Sequence, residues 1–223
     1  MPNFPLGALR HPRANVQGTL FRAEEAGYLA GYLAALMEGR RAGKHVISSV
    51  GGFPFYGVDR WIVGYKAGAR KADPGVTNLT GYSQDFANPA KCRRVALSQI
   101  ARGSGVVFNV AGGCGLGTLQ TAKGERVWGI GVDIDQSFLG EHILTGAVIR
   151  EDKPVFESIR RLVQGTPPKG TQRGGRGDAL PHVRAEVQAV VSRSVRASSR
   201  TSLVSSRCWT GGRVRQATTV SGM

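Results

Sequence analysis

Apolar positions along the chain repeat with two different periods, and their alternation predicts a repeated strand and helix order. Between Phe21 and Met37, apolar residues recur three or four positions apart, which favours a helix with one buried side. The segments His45–Val50 and Gly105–Val110 are instead short and rich in apolar and β-branched residues. Such runs are typical of buried strands in a parallel sheet that is covered on both faces.

The remaining periodic segments continue this order. They predict further helices over Val58–Lys71, Pro89–Arg102 and Pro154–Val163, a short helix ending near Lys123, and strands over Val76–Tyr82, Arg126–Val132 and Leu144–Ile149. Strands that alternate with helices indicate an α/β fold built on a parallel sheet. In such folds, ligands bind at the carboxyl ends of the strands.

Positive charge is concentrated towards the carboxyl terminus. The formal net charge is +15, and residues 166–223 supply +8 of it, from 10 Lys+Arg and 2 Asp+Glu. A basic segment attracts nucleic acid through its phosphates. The apolar residues of this segment are scattered, however, which favours a solvated and disordered tail. We therefore expect no nucleic-acid partner.

The cysteines and histidines do not predict a metal site or a catalytic centre. None of Cys92, Cys114 and Cys208 forms a CxxC pair, the odd count cannot close completely into disulfides, and the four histidines stand alone. Cys114 is interpreted as a small buried residue. The sequence also contains no signal-peptide pattern and no apolar run of the roughly 20 residues that span a bilayer. As written, it predicts a chain without an evident route out of the cytoplasm.

Two segments combine strand ends with residues suited to ligand contact. Val106–Gly117 is an apolar strand that runs into glycines, which let a backbone approach a ligand closely and direct N–H groups at it. Gly129–Gln136 is a strand that brings Asp133 and Asp135 to its carboxyl end. Carboxylate oxygens at this point can accept hydrogen bonds from the vicinal hydroxyls of a sugar.

Two other interpretations of these segments stay open on the pattern alone. A strand, a glycine turn, a helix and a later aspartate also outline a dinucleotide site. The glycines here read Gly113-x-Gly115-x-Gly117, which is one residue short of the usual spacing. Alternatively, the glycines only make a tight turn and Asp133 only caps a helix.

Four stretches of the chain resemble the basic membrane lipoprotein family of ABC-transporter solute-binding proteins, which includes purine-nucleoside receptors. The stretches are Glu24–Gly31, Trp61–Gly68, Val107–Gly117 and Gly131–Gln136, in the family's order. The resemblance implies a type I periplasmic-binding fold with two lobes that close over a nucleoside-like solute. It also implies that the protein is not an enzyme, needs no cofactor and works with an ABC-transporter permease. The competing class is a cytoplasmic α/β nucleotide- or dinucleotide-binding enzyme.

The resemblance assigns roles to three residues. Phe108 would stack on the base or pack against it, Gly113 would offer close backbone contact, and Asp133 would accept hydrogen bonds from the ribose hydroxyls. The family is extracytoplasmic and membrane-anchored. Its signal peptide, lipid-anchored cysteine and amino-terminal ligand loop have no counterpart in this sequence, and Ile149 stands where the family usually has a lysine.

The same resemblance predicts how the chain divides. Residues 1–43 are assigned to a remnant of an incomplete first lobe, 44–140 to the second lobe, 141–165 to a segment that returns to the first lobe, and 166–223 to the basic tail. After about Gly165 the sequence no longer resembles the family. An incomplete first lobe would leave the apolar stripe of Leu29, Leu33 and Leu36 with little sheet to cover it.

Overall fold

The computed structural model describes residues 16–41, 44–167 and 170–173, all of which belong to one unit of the chain, Met1–Val187. Its strands are β1 (Gln17–Leu20), β2 (Val46–Gly51), β3 (Thr77–Tyr82), β4 (Ser104–Val110), β5 (Trp128–Asp133), β6 (Ile143–Val148) and β7 (Gly170–Arg173). Its helices are α1 (Ala23–Glu38), α2 (Tyr56–Ala72), α3 (Pro89–Ala101), α4 (Gly115–Gly124) and α5 (Asp152–Val163). The predicted α/β class is confirmed, and each predicted element is present with ends shifted by two residues or fewer.

Five of the strands form one parallel sheet in the order β3-β2-β4-β5-β6. Its central strands β2 and β4 are buried along their whole length. Neighbouring residues of β4 face opposite sides: Phe108 stacks on Tyr65 of α2, whereas Val107 joins a core cluster with Ala96 of α3 and Ala122 of α4. The sheet is therefore covered on both faces, and all five strands end at one edge, called here the carboxyl edge.

Helices α1 and α2 touch backbone to backbone. A Cβ atom at Gly31 would lie 1.9 Å from the carbonyl oxygen of Tyr65, and one at Gly68 would lie 1.8 Å from that of Tyr28. Only glycine permits this approach. Leu33 of α1 is itself buried, at 1% exposure. The expectation that the α1 stripe lacks cover is thus wrong at Leu33, although Leu36 stays 41% exposed.

A second, two-stranded parallel sheet joins β1 to β7. The hydrophobic pattern does not predict either strand, because each has four residues and most of them are polar or glycine. β7 also corrects the expectation of a disordered tail for residues 170–173, whereas the tail beyond residue 173, including Cys208, lies outside the described residues. Helix α5 reaches β1 through the Ser158 hydroxyl, which donates to the Gln17 side-chain oxygen at 2.6 Å.

The division of the chain into lobe segments stays a prediction, and two packing facts bear on it. Helix α1, which the sequence assigns to the first-lobe remnant, packs mainly on α2 of the second-lobe range. Strand β6, in the predicted return segment, is hydrogen-bonded to β5. Within the described ranges, no helix has the length and hydrophobicity needed to cross a membrane.

Candidate functional site

A glycine turn lies at the centre of the carboxyl edge, directly after β4. Gly112–Cys114 form a single 3-10 turn, and α4 begins at Gly115. Gly112 has a φ of +53°, in the left-handed region that glycine adopts most readily. Gly112 and Gly113 are both exposed. Gly113 therefore lies where the sequence predicts close contact with a ligand, and that role stays a prediction.

The later glycines of the same motif have a packing role. A Cβ at Gly115 would lie 1.6 Å from the side-chain oxygen of Asn109, and one at Gly117 would lie 2.0 Å from the carbonyl oxygen of Pro89. The Asn109 oxygen in turn accepts the Ala111 backbone N–H at 3.0 Å. These contacts fix the start of α4 against β4 and α3, so the glycine spacing is explained without a dinucleotide.

Asp133 ends β5, the strand next to β4. Its backbone has a φ of +65°, which is uncommon for a residue other than glycine. The side chain is half-buried, and burial, with a smaller contribution from the charge of Glu151, raises the pKa of its carboxyl group. Strained backbone and a shifted pKa at a strand's carboxyl end are typical of functional residues.

Phe108 lies inside β4, two residues before the strand ends at Val110. Its side chain is fully buried, and its ring stacks on Tyr65 with a centroid distance of 5.0 Å. The side chains of a strand alternate between the two faces of the sheet, and the face that holds Phe108 is covered by α2. Stacking of Phe108 on a base would need an exposed ring, so this structure does not offer Phe108 to a solute.

Three other phenylalanines lie at the carboxyl edge and form an exposed aromatic cluster. Phe53 and Phe55 follow β2, Phe86 follows β3, and their rings are 39–44% exposed. The Phe86 ring centroid is 5.3 Å from that of Phe53 and 6.1 Å from that of Phe55. Phe53 and Phe55 follow the predicted strand His45–Val50 within five residues, but hydrophobic periodicity gives no sign that they meet Phe86, which follows a different strand.

The loop that carries Phe86 is anchored by Asp85. Its carboxylate accepts the backbone N–H groups of Ala87 and Asn88 at 2.8 and 2.9 Å and pairs with the Lys91 ammonium group at 2.8 Å. The Lys91 hydrogen bond and the two backbone bonds hold the pKa of Asp85 far below its usual range. The Phe86 carbonyl oxygen then accepts the Cys114 N–H at 2.9 Å, which ties this loop to the glycine turn.

The carboxyl edge thus presents three chemically different elements in a row. The aromatic cluster of Phe53, Phe55 and Phe86 lies beyond β2 and β3, the glycine turn beyond β4, and Asp133 at the end of β5. Adjacent strands are about 4.8 Å apart, so the row spans roughly 10–15 Å. Aromatic faces bind flat rings, exposed glycine backbone lets a ligand approach closely, and a carboxylate accepts hydrogen bonds from hydroxyl groups.

The cysteine interpretation needs correction. Cys114 is buried, as expected, but it forms a disulfide with Cys92 across 22 residues, with a Cα–Cα distance of 5.6 Å. Spacing alone cannot reveal which cysteines pair. In the part of the chain that the structure describes, no three His, Cys, Asp or Glu residues are grouped so that they could hold a metal ion.

Comparison with known proteins gives one family match. The family model described as ABC transporter substrate-binding protein PnrA-like matches residues 6–173. Basic membrane protein A of Borreliella afzelii is 32% identical over 73% of this chain and 49% of its own length. The ABC transporter nucleoside-binding protein BmpA of Lactococcus lactis subsp. cremoris is 32% identical over 57% of this chain and 38% of its own length. The chain spans half or less of the length of these relatives.

Solved structures agree on the fold. An ABC transporter solute-binding protein from Aeropyrum pernix K1 superposes with a TM-score of 0.70 at 21% identity, covering 83% of this chain and 61% of that protein. A second such protein, from Conexibacter woesei, has a TM-score of 0.57 at 20% identity and covers 83% of this chain and 65% of that one. At this identity the similarity concerns the fold alone.

Proposed function

The chain belongs to the family of PnrA-like ABC transporter substrate-binding proteins, and we propose that its carboxyl edge binds a nucleoside-like solute for an ABC importer. The observation that carries this proposal is the row formed by the aromatic cluster, the glycine turn and Asp133. A nucleoside has a flat base and a sugar with vicinal hydroxyls, and the row offers a partner to each. The Lactococcus relative is named as a nucleoside-binding protein, which supports this ligand class.

Each element of the row has its own role in the proposal. The exposed rings of Phe86 and its neighbours stack on the base, which gives affinity with little discrimination between bases. Gly113 lets the solute approach the backbone closely. Asp133 accepts hydrogen bonds from the ribose hydroxyls, and these are stronger than neutral bonds because the acceptor is charged. The aromatic role assigned by resemblance to Phe108 passes to residues that are exposed.

The electrostatics favour a nucleoside over a nucleotide or dinucleotide. After burial, the negative charge of Glu151 is the second cause of the raised pKa of Asp133. A phosphate bound beside these two carboxylates would be repelled by both. This counts against the alternative of a dinucleotide-binding enzyme, and we propose that the chain has no catalytic activity.

The first prediction tests Asp133 by titration of the protein with guanosine, followed by NMR so that weak binding is measurable. Asp133→Ala should weaken guanosine binding at least about tenfold, because hydrogen bonds to a charged acceptor contribute about 1.5–3 kcal/mol. Glu125→Ala is the matched control, since it removes an exposed carboxylate that precedes β5 and lies away from the carboxyl edge. It should bind like the unaltered protein.

Phosphorylated ligands complete this test. Guanosine 5′-monophosphate should bind more weakly than guanosine, and NAD should not bind better than either. Equal guanosine affinity in Asp133→Ala and Glu125→Ala would mean that Asp133 does not bind the solute. Preference for NAD over guanosine would instead support the enzyme class.

We propose that this chain works outside the cytoplasm, where an importer collects its solute. The buried Cys92–Cys114 disulfide supports this location, because disulfides persist in oxidising compartments and are rare where thiols are kept reduced. A transporter permease is the proposed protein partner, in keeping with the family description.

A further inference from the structure

The Cys92–Cys114 disulfide connects two parts of the carboxyl edge. Cys92 lies in the first turn of α3, which follows the loop that carries Phe86. Cys114 is the last residue of the glycine turn. Both side chains are fully buried. The bond therefore joins, beneath the surface, the segment that presents an aromatic ring and the segment that presents Gly113.

Two non-covalent contacts act at the same place. The Cys114 backbone N–H donates to the Phe86 carbonyl oxygen at 2.9 Å, and the Ser83 hydroxyl lies 3.5 Å from the Cys114 sulfur. The Ser83 hydroxyl itself donates to the Asp85 carbonyl oxygen at 2.9 Å. The disulfide thus reinforces a small hydrogen-bonded bridge between the Phe86 loop and the glycine turn.

The elements on either side of the turn are held independently of the disulfide. Gly115 and Gly117 pack tightly against Asn109 and the Pro89 backbone, so α4 stays docked on β4 and α3. Gly112 and Gly113, in contrast, are exposed and have no side chains to pack. Loss of the disulfide would therefore loosen the turn rather than separate the helices.

We propose that Cys92 and Cys114 are positioning residues, whose disulfide holds the glycine turn and the Phe86 loop in the geometry that binds the solute. This inference rests on the proposed function, since it concerns the affinity of that same site. A cross-link that preorganises a binding surface reduces the ordering cost of binding. Reduction of the bond should then lower solute affinity while the lobe stays folded.

The chemical step is a thiol–disulfide exchange with a dithiol. One thiolate of the reagent attacks a sulfur of the disulfide and releases the other sulfur as a thiolate. The second reagent thiolate then attacks the reagent sulfur of this mixed disulfide. The bond to the protein breaks, the second cysteine leaves as a thiolate, and the reagent closes into a cyclic disulfide. The reagent loses two electrons and two protons, and Cys92 and Cys114 gain them as two thiols. Because both sulfurs are buried, the exchange needs local opening and should be slow.

The test begins with Cys208→Ser, which leaves Cys92 and Cys114 as the chain's two cysteines. This protein is titrated with guanosine in its oxidised form, after dithiothreitol reduction, and after reoxidation. We expect guanosine affinity to fall at least about threefold on reduction and to return on reoxidation. Amide hydrogen exchange at residues 112–115 should quicken on reduction, while a cooperative thermal transition is retained.

A matched control separates the bond from the reagent. In the triple variant Cys92→Ala, Cys114→Ala, Cys208→Ser, dithiothreitol should change neither affinity nor exchange, and affinity should equal that of the reduced form. Equal guanosine affinity in the oxidised and reduced forms would overturn the positioning role alone. Loss of the thermal transition on reduction would also overturn it, because the disulfide would then stabilise the whole fold rather than position the site. Failure of the oxidised protein to bind guanosine would overturn the proposed function, and this inference with it.

Discussion

At the scale of the residue, Asp133 combines a strained backbone conformation with a raised carboxyl pKa. Its φ of +65° and its raised pKa both oppose stability, because a non-glycine residue is strained there and burial disfavours the charged carboxylate. The sequence predicted this residue because an aspartate at the end of an apolar strand can be recognised locally. Neither the strain nor the influence of Glu151 is visible in the sequence, since both depend on where the chain turns after β5.

The second prediction concerns pH. The pKa of Asp133 is raised above 3.8, so lowering the pH should protonate it earlier than an exposed aspartate and weaken guanosine binding through loss of charge-assisted hydrogen bonds. The effect on stability has the opposite sign. A raised folded-state pKa means that the folded protein binds this proton more tightly, so the contribution of Asp133 to stability improves as the pH falls.

Glu151→Gln provides the matching variant for this pH dependence. It removes the negative charge that helps to raise the pKa of Asp133, so the midpoint of the affinity profile should move to lower pH. NMR titrations with guanosine at a series of pH values measure both profiles. Identical midpoints would mean that Asp133 does not control the pH response.

At the scale of the element, the pair α1 and α2 is built on four glycines that face each other's backbone. The Cβ positions of Gly27 and Gly31 fall on the α2 backbone, and those of Gly64 and Gly68 fall on the α1 backbone, all within 2.3 Å of a carbonyl oxygen. In the sequence, Gly27 and Gly31 are four residues apart, and this spacing is a local signal that another backbone can approach α1 closely. The sequence does not show which helix packs against these glycines, because that contact depends on the tertiary fold.

The third prediction is a stability change at this contact. Gly31→Ala or Gly68→Ala should lower the free energy of unfolding by about 1–3 kcal/mol or more, because the helices must separate to admit a methyl group. Gly124→Ala, at the end of α4, is the control. Apart from its chain neighbours and its own helix backbone, no atom of the described residues lies within 4 Å of its Cβ position. This substitution should leave stability unchanged or raise it by up to about 1 kcal/mol. Urea unfolding monitored by circular dichroism measures all three variants, and equal effects would contradict the contact.

At the scale of the whole molecule, local patterns predicted the main sheet and missed what depends on distant partners. Val106–Val110 is an apolar run interrupted only by Asn109, and Asn88-Pro89 is a helix start whose asparagine accepts the Ala90 N–H at 3.0 Å. Both could be recognised within a few residues. The aromatic cluster and the Cys92–Cys114 pair arise only when loops from different strands meet. The burial of Phe108 likewise depends on α2, which is distant in sequence.

Helix α5 carries a further exposed apolar surface, separate from the aromatic cluster at the carboxyl edge. The outward side of α5 carries five apolar residues that are 57–81% exposed: Val155, Phe156, Ile159, Leu162 and Val163. They recur three or four residues apart and thus lie together along the helix. Contiguous exposed apolar surface of this kind promotes association.

The fourth prediction is that this side of α5 drives self-association. The double variant Phe156→Glu, Ile159→Lys should weaken association at least about tenfold, because burial of one such side chain contributes about 1.5–3 kcal/mol. Phe138→Glu is the control, since Phe138 is 73% exposed but lies outside α5. Sedimentation velocity over a range of concentrations measures the effect. Unchanged association of the double variant would exclude α5 as the contact.

The pairing of β1 with β7 has a consequence for the order of folding. It brings Gln17 beside Gly170, so a loop of about 150 residues must close before these strands meet. Only four pairs of residues are then joined by the two-stranded sheet. The entropy cost of closing a loop rises with its length, whereas each strand of the five-stranded sheet is reached through a much shorter connection. The two-stranded sheet should therefore be the slow, late step of folding, and the five-stranded sheet can form and persist before it closes.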